Sequence, residues 1–235
     1  MTLDNIIDPE VRVNSQSYEA IISVIQSIPT ISTILEIGAS SGDGSTEALV
    51  KGVISSTFYD FKRTIRLASI EVSKARFQNL STRYNHLSWF YPYNVSSLPI
   101  SSFPSKTDII ETIPKCKVLR NASIKTILEW YDNDIRYVEE HHIPEHGIDQ
   151  IKKDFGVDVF DMCMIDGSEF LGNKEFEALQ GCKVYVLDDI YAYKNHFSFL
   201  KLSTNPDYKL YSLEESRGGT AIFVRTELYN QYLVF

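Results

Sequence analysis

The segment Ile34-Leu-Glu-Ile-Gly-Ala-Ser-Ser-Gly-Asp-Gly44 is the clearest indication of the fold, because a short apolar run leads directly into a loop of small residues. An apolar run that closes on glycines predicts a central strand of a parallel sheet over residues 32–37. The glycines let the backbone turn sharply and let a ligand approach, which a Cβ would obstruct. The pattern therefore predicts a ligand-binding loop, followed by a helix that Ser45 caps.

The rest of the chain alternates strand and helix patterns around this first strand. Residues 15–27 and 73–84 have the character of helices. Six further strands are predicted, the last two as an antiparallel hairpin: residues 65–71, 88–93, 159–165, 183–187, 208–213 and 220–225. Strands that alternate with helices indicate a parallel sheet. We therefore expect an α/β, Rossmann-like, seven-stranded and mostly parallel sheet with an antiparallel edge hairpin.

One connection is longer than such a fold requires. Between the third and fourth strands lie about 60 residues, where a single crossover helix needs far fewer. We interpret residues 1–235 as one domain, in which residues 97–155 form a helical insertion that covers the substrate side like a cap.

Composition limits the partners of the chain. The net charge is −8, whereas nonspecific binding to nucleic acid needs a basic surface, so we expect no nucleic-acid partner. No apolar run approaches the roughly 20 residues that span a bilayer. The first residues lack the apolar core of a signal peptide, and the 3 cysteines form no C-x-x-C pair, which favours a cytoplasmic protein. The apolar residues 229–235 favour contact with a second copy in a homodimer.

Glycine loops occur in several families, so the spacing has to be compared. A P-loop ends in Gly-Lys-Ser/Thr, but no lysine follows Gly44. The dinucleotide pattern G-x-G-x-x-G is also absent, since Ser40 stands two positions after Gly38. The spacing Gly38-x-x-x-Gly42-x-Gly44 matches short-chain dehydrogenases, which also need a Tyr-x-x-x-Lys pair that this chain lacks. An NAD(P)-dependent oxidoreductase of Rossmann type stays as an alternative.

Glu36 separates the remaining families. An acidic residue two positions before the first glycine resembles motif I, E/D-x-G-x-x-x-G, of the class I S-adenosylmethionine (SAM)-dependent methyltransferases. The resemblance implies that SAM is the cofactor and that its methionine part lies over Gly38, Ala39, Ser40 and Gly42. It also implies that Glu36 fixes the loop and the amino group of SAM through charge-assisted contacts.

Two further residues extend this resemblance across residues 32–225. Glu71 ends the second strand, where the family holds an acid against the ribose hydroxyls. Asn94 follows the third strand, where the family has an Asp or Asn facing the adenine amino group. The resemblance therefore implies that both residues bind the cofactor.

Three carboxylates follow two neighbouring strands, namely Asp166 after the fourth and Asp188 with Asp189 after the fifth. Parallel strands open to one crevice at their carboxyl ends, so these groups are expected to meet there. The segments Asp166-Gly-Ser-Glu169 and Leu187-Asp-Asp189 resemble the metal-binding positions of catechol-type and antibiotic-sugar O-methyltransferases. The resemblance implies Mg²⁺ on Asp166, Asp188 and Asp189, where the metal favours the alkoxide of an acceptor hydroxyl.

Other roles for these acids stay open. They also fit caps of the following helices, with no metal involved. Asp188 fits a general base that acts without a metal, and Asp166 lies where it can contact the cofactor as well as the acceptor. Glu169 and His196 complete the predicted catalytic set, since histidine titrates near neutral pH.

The acceptor is implied by resemblance alone. Residues 165–170, together with residues 187–189 and Lys194-Asn-His196, resemble methyltransferases encoded beside glycosyltransferases in polysaccharide gene sets. This implies SAM-dependent O-methylation of a hydroxyl on a sugar of a glycan or glycoconjugate, supplied as a small molecule or an oligosaccharide. The other alternative is a noncatalytic SAM-fold binding protein whose acids serve structure only.

Overall fold

The computed structural model of the protein describes Asp4, residues 11–59 and residues 64–234, so Phe235 of the predicted dimer contact lies outside the described residues. Within these ranges 7 strands form one sheet in the order β3-β2-β1-β4-β5-β7-β6. The strands are β1 Thr33–Ile37, β2 Arg66–Ile70, β3 Phe90–Tyr93, β4 Met162–Ile165, β5 Val184–Leu187, β6 Tyr208–Glu214 and β7 Thr220–Arg225.

Strand pairing confirms the predicted fold class. The first five strands pair in parallel, with β1 between β2 and β4. Strand β7 runs antiparallel to both β5 and β6 and lies between them. The protein is therefore an α/β, Rossmann-like, mostly parallel sheet whose last hairpin forms the antiparallel edge.

Helices connect the strands and carry their own start signals. Ser15 and Ser73 cap α1 and α3, where each hydroxyl accepts a hydrogen bond from a backbone N–H. Ser45 does not cap α2 as predicted, since it is the first helical residue and donates its hydroxyl to Glu36 instead. The helices are α1 Gln16–Ser27, α2 Ser45–Tyr59, α3 Lys74–Tyr84, α4 Lys106–Thr112, α5 Ile124–Glu140, α6 Gly147–Phe155, α7 Gly172–Ala178, α8 His196–Ser203 and α9 Thr226–Tyr232.

Two apolar layers bury both faces of the sheet. Ile34 on β1 belongs to the layer with α1, α2 and α3, and its neighbour Leu35 belongs to the layer with α6, α7 and α8. All 5 residues of β1 are therefore buried, including the charged Glu36 on the face toward α2. Each large apolar side chain buried in this way contributes roughly 1.5–3 kcal/mol.

The connection between β3 and β4 contains the predicted helical insertion. Helix α6 packs on the sheet through Ile148, Ile151 and Phe155, as an ordinary crossover helix does. Helices α4 and α5 instead form a separate apolar cluster, to which Phe170 and Tyr193 contribute from the segments after β4 and β5. The extra part of the connection therefore precedes α6. Among the described residues, no helix has both the length and the apolar character to span a bilayer.

Candidate functional site

A cavity of about 250 Å³ lies at the carboxyl ends of the central strands. This is the edge at which parallel sheets bind ligands. The segments after β1, β2, β3, β4 and β5 form its wall, and the insertion before α6 contributes further residues. The lining includes Gly38, Ala39, Ser40, Ile70, Glu71, Val72, Val95, Ser97, Phe103, Asp134, Val138, Asp166, Ser168, Glu175, Asp189 and Lys194.

The glycine loop after β1 has a backbone that only glycine adopts without strain. Gly38 has φ +89°, and a Cβ built there would collide with the backbone carbonyl oxygen of Asp166. Gly42 has φ +85° and packs against Tyr84, whose hydroxyl donates to the Gly42 carbonyl at 2.7 Å. Gly38 lines the cavity, whereas Gly42 does not. Gly42 therefore holds the loop through its contact with Tyr84, on the side away from the cavity.

Glu36 anchors the same loop from inside the protein. It is fully buried, and its carboxylate accepts hydrogen bonds from Ser45 at 2.8 Å, Thr46 at 2.8 Å and Ser69 at 2.7 Å. Burial raises the pKa of Glu36, and these three hydroxyls oppose that rise. Glu36 does not line the cavity. The geometry accounts for loop fixing, while a contact with a cofactor amino group stays a prediction.

Glu71 faces the cavity at the end of β2. One carboxylate oxygen accepts from the backbone N–H of Ser40 at 2.7 Å, and the other accepts from that of Ser73 at 2.7 Å. Burial raises the pKa of Glu71, which the Ser73 N–H opposes. Glu71 thus ties the glycine loop to the start of α3 and keeps further acceptor capacity.

Asn94 supports Glu71 rather than the cavity wall. Its amide nitrogen donates to the carbonyl of Glu71 at 2.8 Å and to that of Val72 at 3.0 Å. Asn94 does not line the cavity, so its predicted contact with adenine stays a prediction. The amide holds in place the turn that carries Glu71.

The strand-end acids do come together. One oxygen from each of Asp166, Asp188 and Asp189 lies within 4.8 Å of the others. Lys194 places its ammonium among them, with Nζ 2.7 Å from Asp166 Oδ1 and 2.8 Å from Asp189 Oδ2. The side chain of Lys194 is only 7% exposed. A cation of the chain itself therefore lies among the three acids and offsets part of their charge.

The two acids after β5 have different environments. Asp189 has φ +53°, lines the cavity, and has its pKa lowered by Lys194. Asp188 is buried behind the cavity wall, and one of its oxygens accepts from the hydroxyl of Thr220. Its Oδ2 has no hydrogen-bond partner within the described part of the chain. Burial and the charges of Asp166 and Asp189 raise the pKa of Asp188 well above its usual range.

The donor set does not fit Mg²⁺ while Lys194 stays where it is. Mg²⁺ requires nearly octahedral oxygen ligands at about 2.0–2.1 Å. The oxygens of Asp166 and Asp189 that face each other are already bridged by the Lys194 ammonium. A divalent ion on the same oxygens would lie within a few ångströms of a positive charge, which is strongly repulsive in a buried site.

Two more predicted catalytic residues, Glu169 and His196, lie outside the cavity lining, as Asp188 does. Glu169 accepts a hydrogen bond from the backbone N–H of Lys194 at 3.3 Å, and burial raises its pKa to about 7. His196 begins α8, where burial and then Lys115 lower its pKa. Neither side chain lines the cavity, so their catalytic roles stay predictions.

Four charged residues of the cavity lining had no assigned role in the sequence, namely Arg76, Asp134, Glu175 and Lys194. Lys194 stands out once the acids are known to meet, because buried carboxylates need a cation. Asp134 comes from α5, accepts from Ser168 at 2.7 Å, and has its pKa raised by burial to about 6. Glu175 comes from α7 and accepts from Ser97. Helix packing brings Asp134 and Glu175 to the cavity, so spacing in the sequence does not predict their position there.

Glu175 gives a prediction for pH-dependent stability. Burial raises its pKa from 4.5 to about 7 in the folded protein. Between these values the unfolded chain releases the proton while the folded protein keeps it, so stability falls as pH rises and levels off above 7. The Glu175→Gln variant should lack this fall. As the pH rises from 4.5 to 7, its free energy of unfolding should therefore increase by about 3 kcal/mol relative to that of the wild type.

Urea unfolding of both proteins at about pH 5 and about pH 8 measures this change. The matched control is Glu177→Gln, on the same helix but exposed in an ion pair with Lys174 at 2.8 Å. The control should follow the wild type at both pH values. Parallel behaviour of all three proteins would show that Glu175 is ionised in the folded state.

Comparison with known proteins supports the architecture. No protein-family model matches the sequence, and no curated protein matches it. An O-methyltransferase from Bacillus cereus in complex with SAH aligns with a TM-score of 0.52 and 13% identity, over 93% of this chain and 84% of that chain. The cofactor-bound Rv0187 from MTB aligns with a TM-score of 0.50 and 13% identity, over 95% of this chain and 85% of that chain. At this identity the likeness shows a shared Rossmann-like fold.

Proposed function

We propose that the protein is a SAM-dependent O-methyltransferase that acts on a hydroxyl, with a sugar of a glycan or glycoconjugate as the acceptor. The observation that carries the proposal is the position of Glu71. This acid ends β2 and faces the same cavity as the glycine loop, and its carboxylate also holds that loop through Ser40. A carboxylate in this position suits the paired hydroxyls of a ribose, which donate to it.

The cavity offers a matching surface for each part of SAM. Gly38 and Ala39 expose backbone where the methionine part would lie, because no Cβ stands at Gly38. Ile70, Val72 and Val95 provide apolar contacts for the adenine ring. When bound, SAM supplies a methyl group that its sulfonium already activates. The protein then has to position the acceptor, exclude water and receive a proton.

The part of the cavity at the ends of β4 and β5 suits an acceptor with several hydroxyls. Asp166, Asp189 and Lys194 meet there, and Asp134 with Ser168 adds a second polar pair. Together these groups offer both donors and acceptors, as a sugar requires. In this proposal the insertion is the cap over the acceptor, and Asp166 is the group that receives its proton.

Calorimetry with S-adenosylhomocysteine (SAH), SAM, NADH and NADPH tests the cofactor. We expect SAM and SAH to bind with dissociation constants of about 1–100 µM, that is about −8 to −5 kcal/mol, and the nicotinamides not to bind. The reason is that Glu71 and the Gly38 loop share one cavity, while the sequence lacks the Tyr-x-x-x-Lys pair of a dehydrogenase. If NADH or NADPH binds and SAM and SAH do not, the methyltransferase proposal is wrong and the NAD(P)-dependent oxidoreductase takes its place.

Transfer of a labelled methyl group from SAM tests the reaction. A panel of free sugars, glycosides and catechols separates the sugar acceptor from other hydroxyl acceptors. Label on a glycoside hydroxyl supports the proposal as stated. Tight SAH binding without transfer to any acceptor would favour the noncatalytic SAM-fold binding protein.

A further inference from the structure

We propose that Lys194 is the resident cation of the strand-end acids, so that its ammonium takes the place of a divalent metal and presents a donor to the acceptor oxygen. The part about the acceptor rests on the proposed function. The part about the cation rests on geometry alone and holds whatever group the enzyme transfers. It replaces the magnesium site that the sequence implied.

The position of Nζ is the first observation. Lys194 bridges Asp166 Oδ1 at 2.7 Å and Asp189 Oδ2 at 2.8 Å, which are the distances of charge-assisted hydrogen bonds. An ammonium has three N–H donors, and these two contacts use two of them. Because Lys194 lines the cavity, a donor remains for a ligand there.

The second observation is a buried oxygen of Asp188 that accepts no hydrogen bond from the described residues. Asp188 is 2% exposed, and its Oδ2 has no hydrogen-bond partner among the described residues. With Lys194 in place, the cluster holds two carboxylates on the ammonium and a third carboxyl behind them. One fixed positive charge offsets this cluster only in part, so removal of that charge leaves a strong site for another cation.

The segment around Lys194 is held rigidly, which keeps the ammonium in this position. Asn195 donates from its amide to the carbonyl of Ile165 at 2.9 Å and to that of Asp188 at 2.6 Å, and so joins the ends of β4 and β5. A Cβ at Gly172 would lie 2.8 Å from Cγ of Lys194, so only glycine fits beside the lysine stem. Glu169 accepts the backbone N–H of Lys194 from the other side. The lysine is therefore placed before any ligand arrives.

A prearranged ammonium has a clear use beside an acceptor hydroxyl. In this proposal the third N–H donates to the hydroxyl oxygen and stabilises negative charge as it develops there. The carboxylates of Asp166 and Asp189 fix the direction of that donor. A metal ion would supply the same stabilisation, but the chain supplies it from a side chain.

Titration with Mn²⁺, followed by electron paramagnetic resonance, tests the inference without any assay of activity. The wild type should bind no Mn²⁺ stoichiometrically below millimolar concentration. In Lys194→Met the ammonium is gone, and one Mn²⁺ should bind at least 10-fold more tightly than to the wild type. The added change Asp166→Asn in the same variant should remove most of the gained affinity.

Control variants separate charge from folding. Lys194→Arg keeps a cation and should stay free of Mn²⁺, while Lys51→Met removes an exposed lysine that pairs with Glu47 at 2.9 Å and should behave as the wild type. One Mn²⁺ bound stoichiometrically by the folded wild type would overturn the inference, even if Lys194→Met failed to fold. An equal Mn²⁺ affinity of folded Lys194→Met and wild type would overturn it too.

Titration of the wild type with SAH distinguishes the two proposals. If SAH binds and Mn²⁺ also binds stoichiometrically, the proposed function stands and the resident cation fails. If neither binds, the resident cation stands while the proposed cofactor fails. Methyl transfer that survives a chelator adds support for Lys194, and transfer that a chelator abolishes and Mg²⁺ restores counts against it.

Discussion

Replacement of Gly38 by alanine should destabilise the protein by about 3 kcal/mol or more and abolish SAH binding. Two costs add at this position. The φ of +89° costs a residue with a side chain roughly 1–3 kcal/mol. The new Cβ would also collide with the backbone carbonyl of Asp166, so the loops after β1 and β4 must separate. Urea unfolding measures the stability, and calorimetry with SAH measures the binding.

Gly156 provides the matched control for Gly38. It has φ +64° at the end of α6, and a Cβ there would have no atom within 4 Å. Gly156→Ala therefore isolates the backbone cost, which we expect to be about 1 kcal/mol, with SAH affinity unchanged. Equal losses in the two variants would mean that the contact between Gly38 and Asp166 contributes nothing.

The strands were predictable where burial alone decides them. Strand β1 reads as a continuous apolar run because helices cover both of its faces. Strand β4 is shorter than predicted and begins at Met162 rather than at residue 159. Val159 is 44% exposed, and the Asp161 side chain accepts from the backbone N–H of Ser32 at 2.7 Å before the strand begins. Such a partner, distant in sequence, leaves no local pattern.

Only the site residues that lie at the ends of strands, or directly follow them, could be predicted from the sequence. Glu71 and the acids after β4 and β5 follow apolar runs, so their meeting at one edge follows from parallel pairing. The partners of these acids come from elsewhere in the chain. The three hydroxyls on Glu36 come from α2 and β2, and Asp134 reaches the cavity from the insertion. Their contacts depend on how the helices pack, which no spacing in the sequence encodes.

The same reasoning explains why the metal was expected. The three acids resemble the metal-binding positions of catechol-type and antibiotic-sugar O-methyltransferases, and this resemblance implied Mg²⁺, which prefers oxygen ligands. The lysine that lies among them follows Asp189 by five residues, and its direction depends on the turn that Asn195 fixes. The sequence therefore predicted that the acids meet, and the fold places the Lys194 ammonium among them.

Glu71→Gln should weaken SAH binding about 100-fold, which corresponds to about 3 kcal/mol. Each Glu71 oxygen accepts one backbone N–H, from Ser40 and from Ser73. A glutamine amide must turn its NH₂ toward one of these donors, so one backbone N–H loses its partner and the loop shifts. The charged acceptor for the ribose hydroxyls is lost at the same time. Calorimetry with SAH measures the change.

An analogue of SAH that lacks both ribose hydroxyls separates the loss of ribose contacts from the shift of the loop. The wild type should bind SAH much more tightly than the analogue, whereas Glu71→Gln should bind the two almost equally, because the acceptor of those hydroxyls is gone. Glu177→Gln, an exposed exchange of the same type, should keep the preference of the wild type. If Glu71→Gln keeps that full preference, Glu71 does not contact the ribose. Its carboxylate would then only hold the loop at Ser40, and the strongest support for SAM in this cavity would be lost.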